Sequence, residues 1–118
     1  MRRTLLATVL AATLGAAALV LAKPGHAADP TRLELTLRNH RFEPAELRAP
    51  AGVPIEITLK NTDSTAEEFE SKALKVEKVV AGGRTIVIKL RALTPGSYKF
   101  VGEFHEATAQ GVLVVEAR

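Results

Sequence analysis

Beyond residue 30 the chain alternates apolar and polar side chains with period two, which puts one face of an extended strand in a core and the other in solvent. Leu33, Leu35 and Leu37 alternate with Glu34, Thr36 and Arg38; Ile55, Ile57 and Leu59 alternate with Glu56, Thr58 and Lys60. Ile86, Ile88 and Leu90 repeat the pattern, Tyr98 and Phe100 share one face of a further segment, and Val112-Leu113-Val114-Val115 forms a β-branched run near the end. Shorter strands are expected over Glu46–Arg48, Glu68–Ser71 and Lys78–Val80. Turn-forming residues fall between them at Pro50-Ala51-Gly52, Asn61-Thr62-Asp63-Ser64, Ala81-Gly82-Gly83 and Thr94-Pro95-Gly96. Seven or eight strands at this spacing predict an all-β, two-sheet Greek-key sandwich. The Ala, Glu and Lys content of Thr65–Lys78 also permits a short turn of helix there.

The first 27 residues follow another rule. Arg2-Arg3 precedes an apolar run from Leu5 to Ala22, and Lys23-Pro24-Gly25-His26-Ala27 follows it. A basic start, an apolar middle and small residues at Gly25 and Ala27 predict a signal peptide over 1–27, cleaved after Ala27, and a secreted domain over 28–118. A retained membrane anchor is the competing reading, since the run approaches spanning length, but Pro24-Gly25 would end such a helix. Arg2-Arg3 also raises twin-arginine export, although the flanking residues match that motif poorly.

Cleavage changes the charge. The chain has 16 basic and 13 acidic residues, and Arg2, Arg3 and Lys23 leave with the signal, so 13 of each remain. A neutral domain has no basic excess for nucleic acid, and none is expected as a partner. Membrane contact is expected only through the signal segment. Cysteine is absent, which excludes disulfides, a thiol nucleophile and thiolate metal sites. No phosphate loop appears, since Ala81-Gly82-Gly83-Arg84 reads as a hairpin turn, and Ser64, Ser71 and Ser97 lack a nucleophile-elbow setting.

Two histidines lie beyond the signal. His40 sits in Asn39-His40-Arg41, where a solvated loop side chain is expected. His105 lies in Glu103-Phe104-His105-Glu106, directly after an apolar strand, and continued extension would put Glu103 and His105 on the same side. In Glu67-Glu68-Phe69-Glu70, Glu68 and Glu70 share a face around Phe69. These acids have two readings: a solvated surface, or carboxylates converging with one imidazole on a cation that relieves their repulsion. Oxygen donors with one nitrogen suit Fe, Mn, Zn or Cu(II) better than Cu(I).

Residues 33–117 resemble a cupredoxin-like domain of the secreted kind associated with bacterial ferrous-iron transport systems. The resemblance lies in Phe42-Glu43-Pro44-Ala45-Glu46-Leu47, Pro50-Ala51-Gly52-Val53-Pro54, Lys60-Asn61-Thr62-Asp63 and Leu93-Thr94-Pro95-Gly96-Ser97-Tyr98-Lys99-Phe100, and in Gly111-Val112-Leu113-Val114. Its more specific part is Glu68-Phe69-Glu70-Ser71 with Glu103-Phe104-His105. Carried over from blue-copper members, the first His ligand falls on or near Glu68, the Cys on Gly102, the second His on His105 and the Met near Gln110. Only His105 is retained. The resemblance therefore implies a non-blue copper or iron site with Glu68, Glu103 and His105 as ligands and Glu70 or Glu106 in support. It further implies a periplasmic protein assisting ferrous-iron uptake beside iron-permease components or another periplasmic metal-binding protein. Ferrous oxidase activity is expected only together with a partner. The rival expectation is a metal-free β-sandwich adaptor that docks a partner protein.

Overall fold

Alternation becomes layering where two apolar faces meet. The computed structural model describes residues 8–9, 11–13, 15–17 and 29–118; most of the 1–27 segment read as an export signal lies outside the described residues. Nine strands follow in chain order: β1 (Thr31–Arg38), β2 (Arg41–Glu43), β3 (Glu46–Pro50), β4 (Ile55–Asn61), β5 (Glu67–Ser71), β6 (Val76–Val80), β7 (Thr85–Leu90), β8 (Gly96–Gly102) and β9 (Gln110–Glu116). One sheet has the order β2-β1-β4-β7 and the other β3-β9-β8-β5-β6. Because the chain crosses between layers, β1 pairs parallel to β4 and β3 parallel to β9, while the other neighbours are antiparallel. This is the expected all-β, two-sheet sandwich.

The predicted faces are the buried ones. Leu35, Leu37, Ile55, Ile57, Leu59 and Ile88 line the inner side of the first sheet, and Leu47, Phe69, Val80, Phe100 and Leu113 that of the second. Phe42, Phe69 and Phe100 form the centre: Phe69 and Phe100 stack with centroids 5.0 Å apart, and Phe42 meets Phe100 edge-on at 5.1 Å. Phe42 belongs to β2, the strand beyond the expected seven or eight; three residues are too few for a period to show.

Two local expectations are corrected. Thr65–Lys78 contains no helix: β5 and β6 pair as a hairpin, because Ser71 accepts the Leu74 amide at 3.1 Å and donates to the Lys99 carbonyl at 2.6 Å, tying the turn to β8. Extension also stops at Gly102. Glu103–His105 is a single 3-10 turn, closed by amides of Thr108 and Ala109 donating to the His105 carbonyl.

Candidate metal centre

Three loops meet at one end of the sandwich. Asn61, wholly buried at the end of β4, donates to the Thr65 carbonyl at 2.9 Å and accepts the Asp63 amide at 2.9 Å, so it shapes the turn leading into β5. Asp63 accepts the amides of Asn39 at 2.8 Å and His40 at 2.9 Å, which joins this turn to the β1–β2 loop. The His40 N–H above all holds the Asp63 carboxyl below its ordinary value; burial, the next largest effect, opposes it, and the Asn39 N–H and the nearby imidazoles add to the lowering. From the β8–β9 loop, Thr108 donates to the His40 carbonyl at 2.6 Å.

Glu67 begins β5 and points inward, in step with Phe69 and Ser71. Its side chain is 1% exposed. One carboxylate oxygen, Oε1, accepts the amides of Phe104 at 2.8 Å and Glu68 at 3.1 Å; the other, Oε2, lies 2.5 Å from Nδ1 of His105. A carboxylate that has lost its water needs such partners, because an uncompensated buried charge costs several kcal/mol, on the order of the whole stability of a small domain. The His105 side chain is 26% exposed, so the pair runs from the core to the surface. The imidazole of His40 lies flat on that of His105, centroids 3.5 Å apart and planes 13° from parallel.

The four residues expected to ligate a metal separate in space. His105 stands at this rim. Glu68 is on the opposite face of β5 from Glu67, half-buried, and its contact with the rim is through its backbone amide. Glu70 shares the outer face of β5 and meets Glu103 beside a shallow hollow of about 540 Å³ that Lys72, Lys99 and Glu106 also line. The hydrogen bond to Glu103, followed by desolvation and the Glu103 charge, raises the Glu70 carboxyl above its ordinary value. Glu103 and His105 part because the 3-10 turn replaces the extension that would have aligned them. Among the described residues no group of three or more His, Asp or Glu side chains is arranged to hold one ion.

Glu67 was not among the expected ligands, yet its parity was readable: two residues before a buried Phe on a strand lies another inward position. His40 and Asp63 carried no such signal, since their roles depend on loops meeting in space. Gly102, where the Cys would fall, has no room for a side chain. A Cβ there would lie 2.7 Å from both the Glu67 Cδ and the Ala109 Cβ. Glu67 fills that space.

Comparison with known proteins agrees with this architecture. The chain is 40% identical over 83 residues to an uncharacterized protein of Rickettsia prowazekii (strain Madrid E), covering 70% of this chain and 66% of that one. Among solved structures it is similar to auracyanin A, a "blue" copper protein from Chloroflexus aurantiacus (TM-score 0.64, 19% identity, 75% of this chain and 100% of that one). It is also similar to the metal-binding domain of the Streptococcus pneumoniae D39 Cu(I)-exporting P-type ATPase CopA with Cu(I) (TM-score 0.62, 16% identity, 72% and 84%). At these identities the structural likeness establishes the fold. A cupredoxin-like domain model matches residues 11–115, nearly the whole chain, and with the two-sheet topology described above the chain belongs to the cupredoxin-like domain family.

Proposed function

We propose that this chain binds a transition-metal ion, copper or iron, between Glu67 and His105, and does so in the periplasm in support of ferrous-iron uptake. A blue-copper centre does not fit: there is no cysteine in the sequence, and Glu67 fills the space beside Gly102. An oxygen- and nitrogen-donor site does fit, with Glu67 and His105 as protein donors and solvent completing the coordination. Such donors suit Cu(II) and iron. When bound, the ion would supply a redox-active centre at the protein surface.

The observation that carries this reading is the buried carboxylate. Replacing a buried ion pair with apolar side chains is often neutral or stabilising, so the fold alone gives little reason to keep Glu67. Two amides fix Oε1, which leaves Oε2 as the oxygen facing His105. The hydrogen between Oε2 and Nδ1 must leave that line before both atoms can donate to a cation, and a neutral imidazole can carry it on Nε2 instead; acid competes with the cation for both donors. Glu70, Glu103 and Glu106 lie at the neighbouring outer hollow, where Lys72 and Lys99 offset part of their negative charge. The iron pathway and its partners, a permease system or another periplasmic metal-binding protein, are supported by the resemblance of Glu68-Phe69-Glu70-Ser71 and Glu103-Phe104-His105 to the iron-associated kind.

Calorimetric titration of the metal-stripped chain with Cu(II), Zn(II), Mn(II) and, anaerobically, Fe(II) tests the proposal. Micromolar or tighter binding of copper or iron, lost in Glu67→Gln and His105→Ala and kept in Glu68→Gln, is expected. Absence of heat with every metal would refute it and favour the metal-free adaptor.

A further inference from the structure

We infer that His40 is a positioning residue for His105, holding the plane of its ring so that Nδ1 stays directed at Glu67; the inference rests on the metal reading above. The backbone of His40 is left-handed, with φ of 57° following 50° at Asn39. Asn39 and His40 are the two central residues of the β1–β2 hairpin, a turn that requires positive φ at both. Two other loops fix where that turn sits. Asp63 takes the Asn39 and His40 amides, and Thr108 holds the His40 carbonyl. These bonds fall on the backbone, and the side chain they deliver lies flat against His105.

The stacking geometry separates two roles. An imidazole nitrogen donates in the plane of its ring, and two nearly parallel planes 3.5 Å apart do not meet at one ion. In this arrangement His40 therefore acts through His105 instead of ligating beside it. A histidine ring turns about Cβ–Cγ over a broad range, and half a turn would carry Nδ1 away from Glu67. A flat ring against its face opposes that rotation, as outer partners of metal-ligating histidines do through hydrogen bonds.

The test uses the full chain with Cu(II), comparing wild type, His40→Gly and His40→Phe by competition titration and electron paramagnetic resonance. Glycine suits the left-handed backbone, so the metal-free His40→Gly protein should fold and melt within about 5 °C of wild type. Its copper affinity should nevertheless fall about tenfold, with a broadened spectrum. Phenylalanine keeps a flat ring without a nitrogen and should restore the affinity to within about threefold and sharpen the spectrum. Wild type should show nitrogen coupling from one imidazole. Unchanged affinity and spectrum in His40→Gly would overturn the inference alone, as would a two-imidazole wild-type signal that His40→Phe reduces to one. Failure of wild type to bind copper or iron in the calorimetric titration would overturn the metal reading and this role with it.

Discussion

Replacing Glu67 separates what the carboxylate does for the fold from what it does for a metal. Truncation to alanine removes the acceptor of the Phe104 and Glu68 amides and the partner of His105 Nδ1, and leaves space beside Gly102. An amide left without an acceptor costs about 1–3 kcal/mol where water does not reach it, so Glu67→Ala should lose about 2–4 kcal/mol. For a domain of about 60–100 residues that lowers Tm by about 10–30 °C. Glutamine has nearly the same shape. Its carbonyl oxygen still accepts both amides, its NH₂ donates to a neutral His105, and no charge is buried. Glu67→Gln should therefore stay within about 1 kcal/mol of wild type, since the lost charge-assisted bond is offset by the relief of burying an ion. Thermal melts by circular dichroism measure the fold, and calorimetric titration with Cu(II) measures the metal. The expected result is a split, with Glu67→Gln nearly as stable as wild type yet at least tenfold weaker in copper affinity. If Glu67→Gln melts as early as Glu67→Ala, the charge itself holds the fold; if it keeps wild-type affinity, the carboxylate is not a donor. Either result refutes the reasoning.

Glu70→Gln removes the repulsion with Glu103. Because the folded Glu70 carboxyl titrates above its ordinary value, the wild-type pair costs stability at neutral pH, and the cost vanishes as pH falls through that raised value. The variant should have the higher urea midpoint at pH 7 and lose that advantage below about pH 4; an advantage that grows in acid would contradict the sign. Asn61→Ala breaks the bonds that shape the Asp63 turn and should cost about 2–3 kcal/mol in urea unfolding, with no loss meaning that water replaces the amide. Gly111→Ala places a Cβ against Cε2 and Cζ of Phe100, whose ring is packed by Phe42 and Phe69. It should destabilise by about 3 kcal/mol, partly recovered by Phe100→Leu in the same chain; strictly additive effects would refute the overlap.

The inner faces of β1, β4 and β7 were legible in the sequence because burial on one side imposes a period of two on Leu33–Leu37, Ile55–Leu59 and Ile86–Leu90, and β9 was legible as the apolar run Val112–Val115. β5 was legible too, but its start was read one residue late. The sharp pattern of Glu68 and Glu70 around Phe69 drew attention to the outward side chains, while the inward carboxylate was Glu67. His105 stood out as one of two histidines beyond residue 27, directly after an apolar strand. Its surroundings did not, because the 3-10 turn at Glu103–His105 is held by bonds formed only when Thr108 and Ala109 fold back and Glu67 reaches the Phe104 amide. The His40–His105 stack has no local signature at all. It depends on Asp63 and Thr108 carrying a left-handed turn to a loop far along the chain, and period and spacing record nothing of such a meeting.

The most direct measurement is anomalous diffraction at the copper edge from crystals of the Cu(II)-loaded protein. The account predicts one peak within about 2.0–2.3 Å of both Glu67 Oε2 and His105 Nδ1, with the two atoms drawn apart from their hydrogen-bonded separation. A peak in the outer hollow between Glu70 and Glu103, or none at this rim, would contradict it.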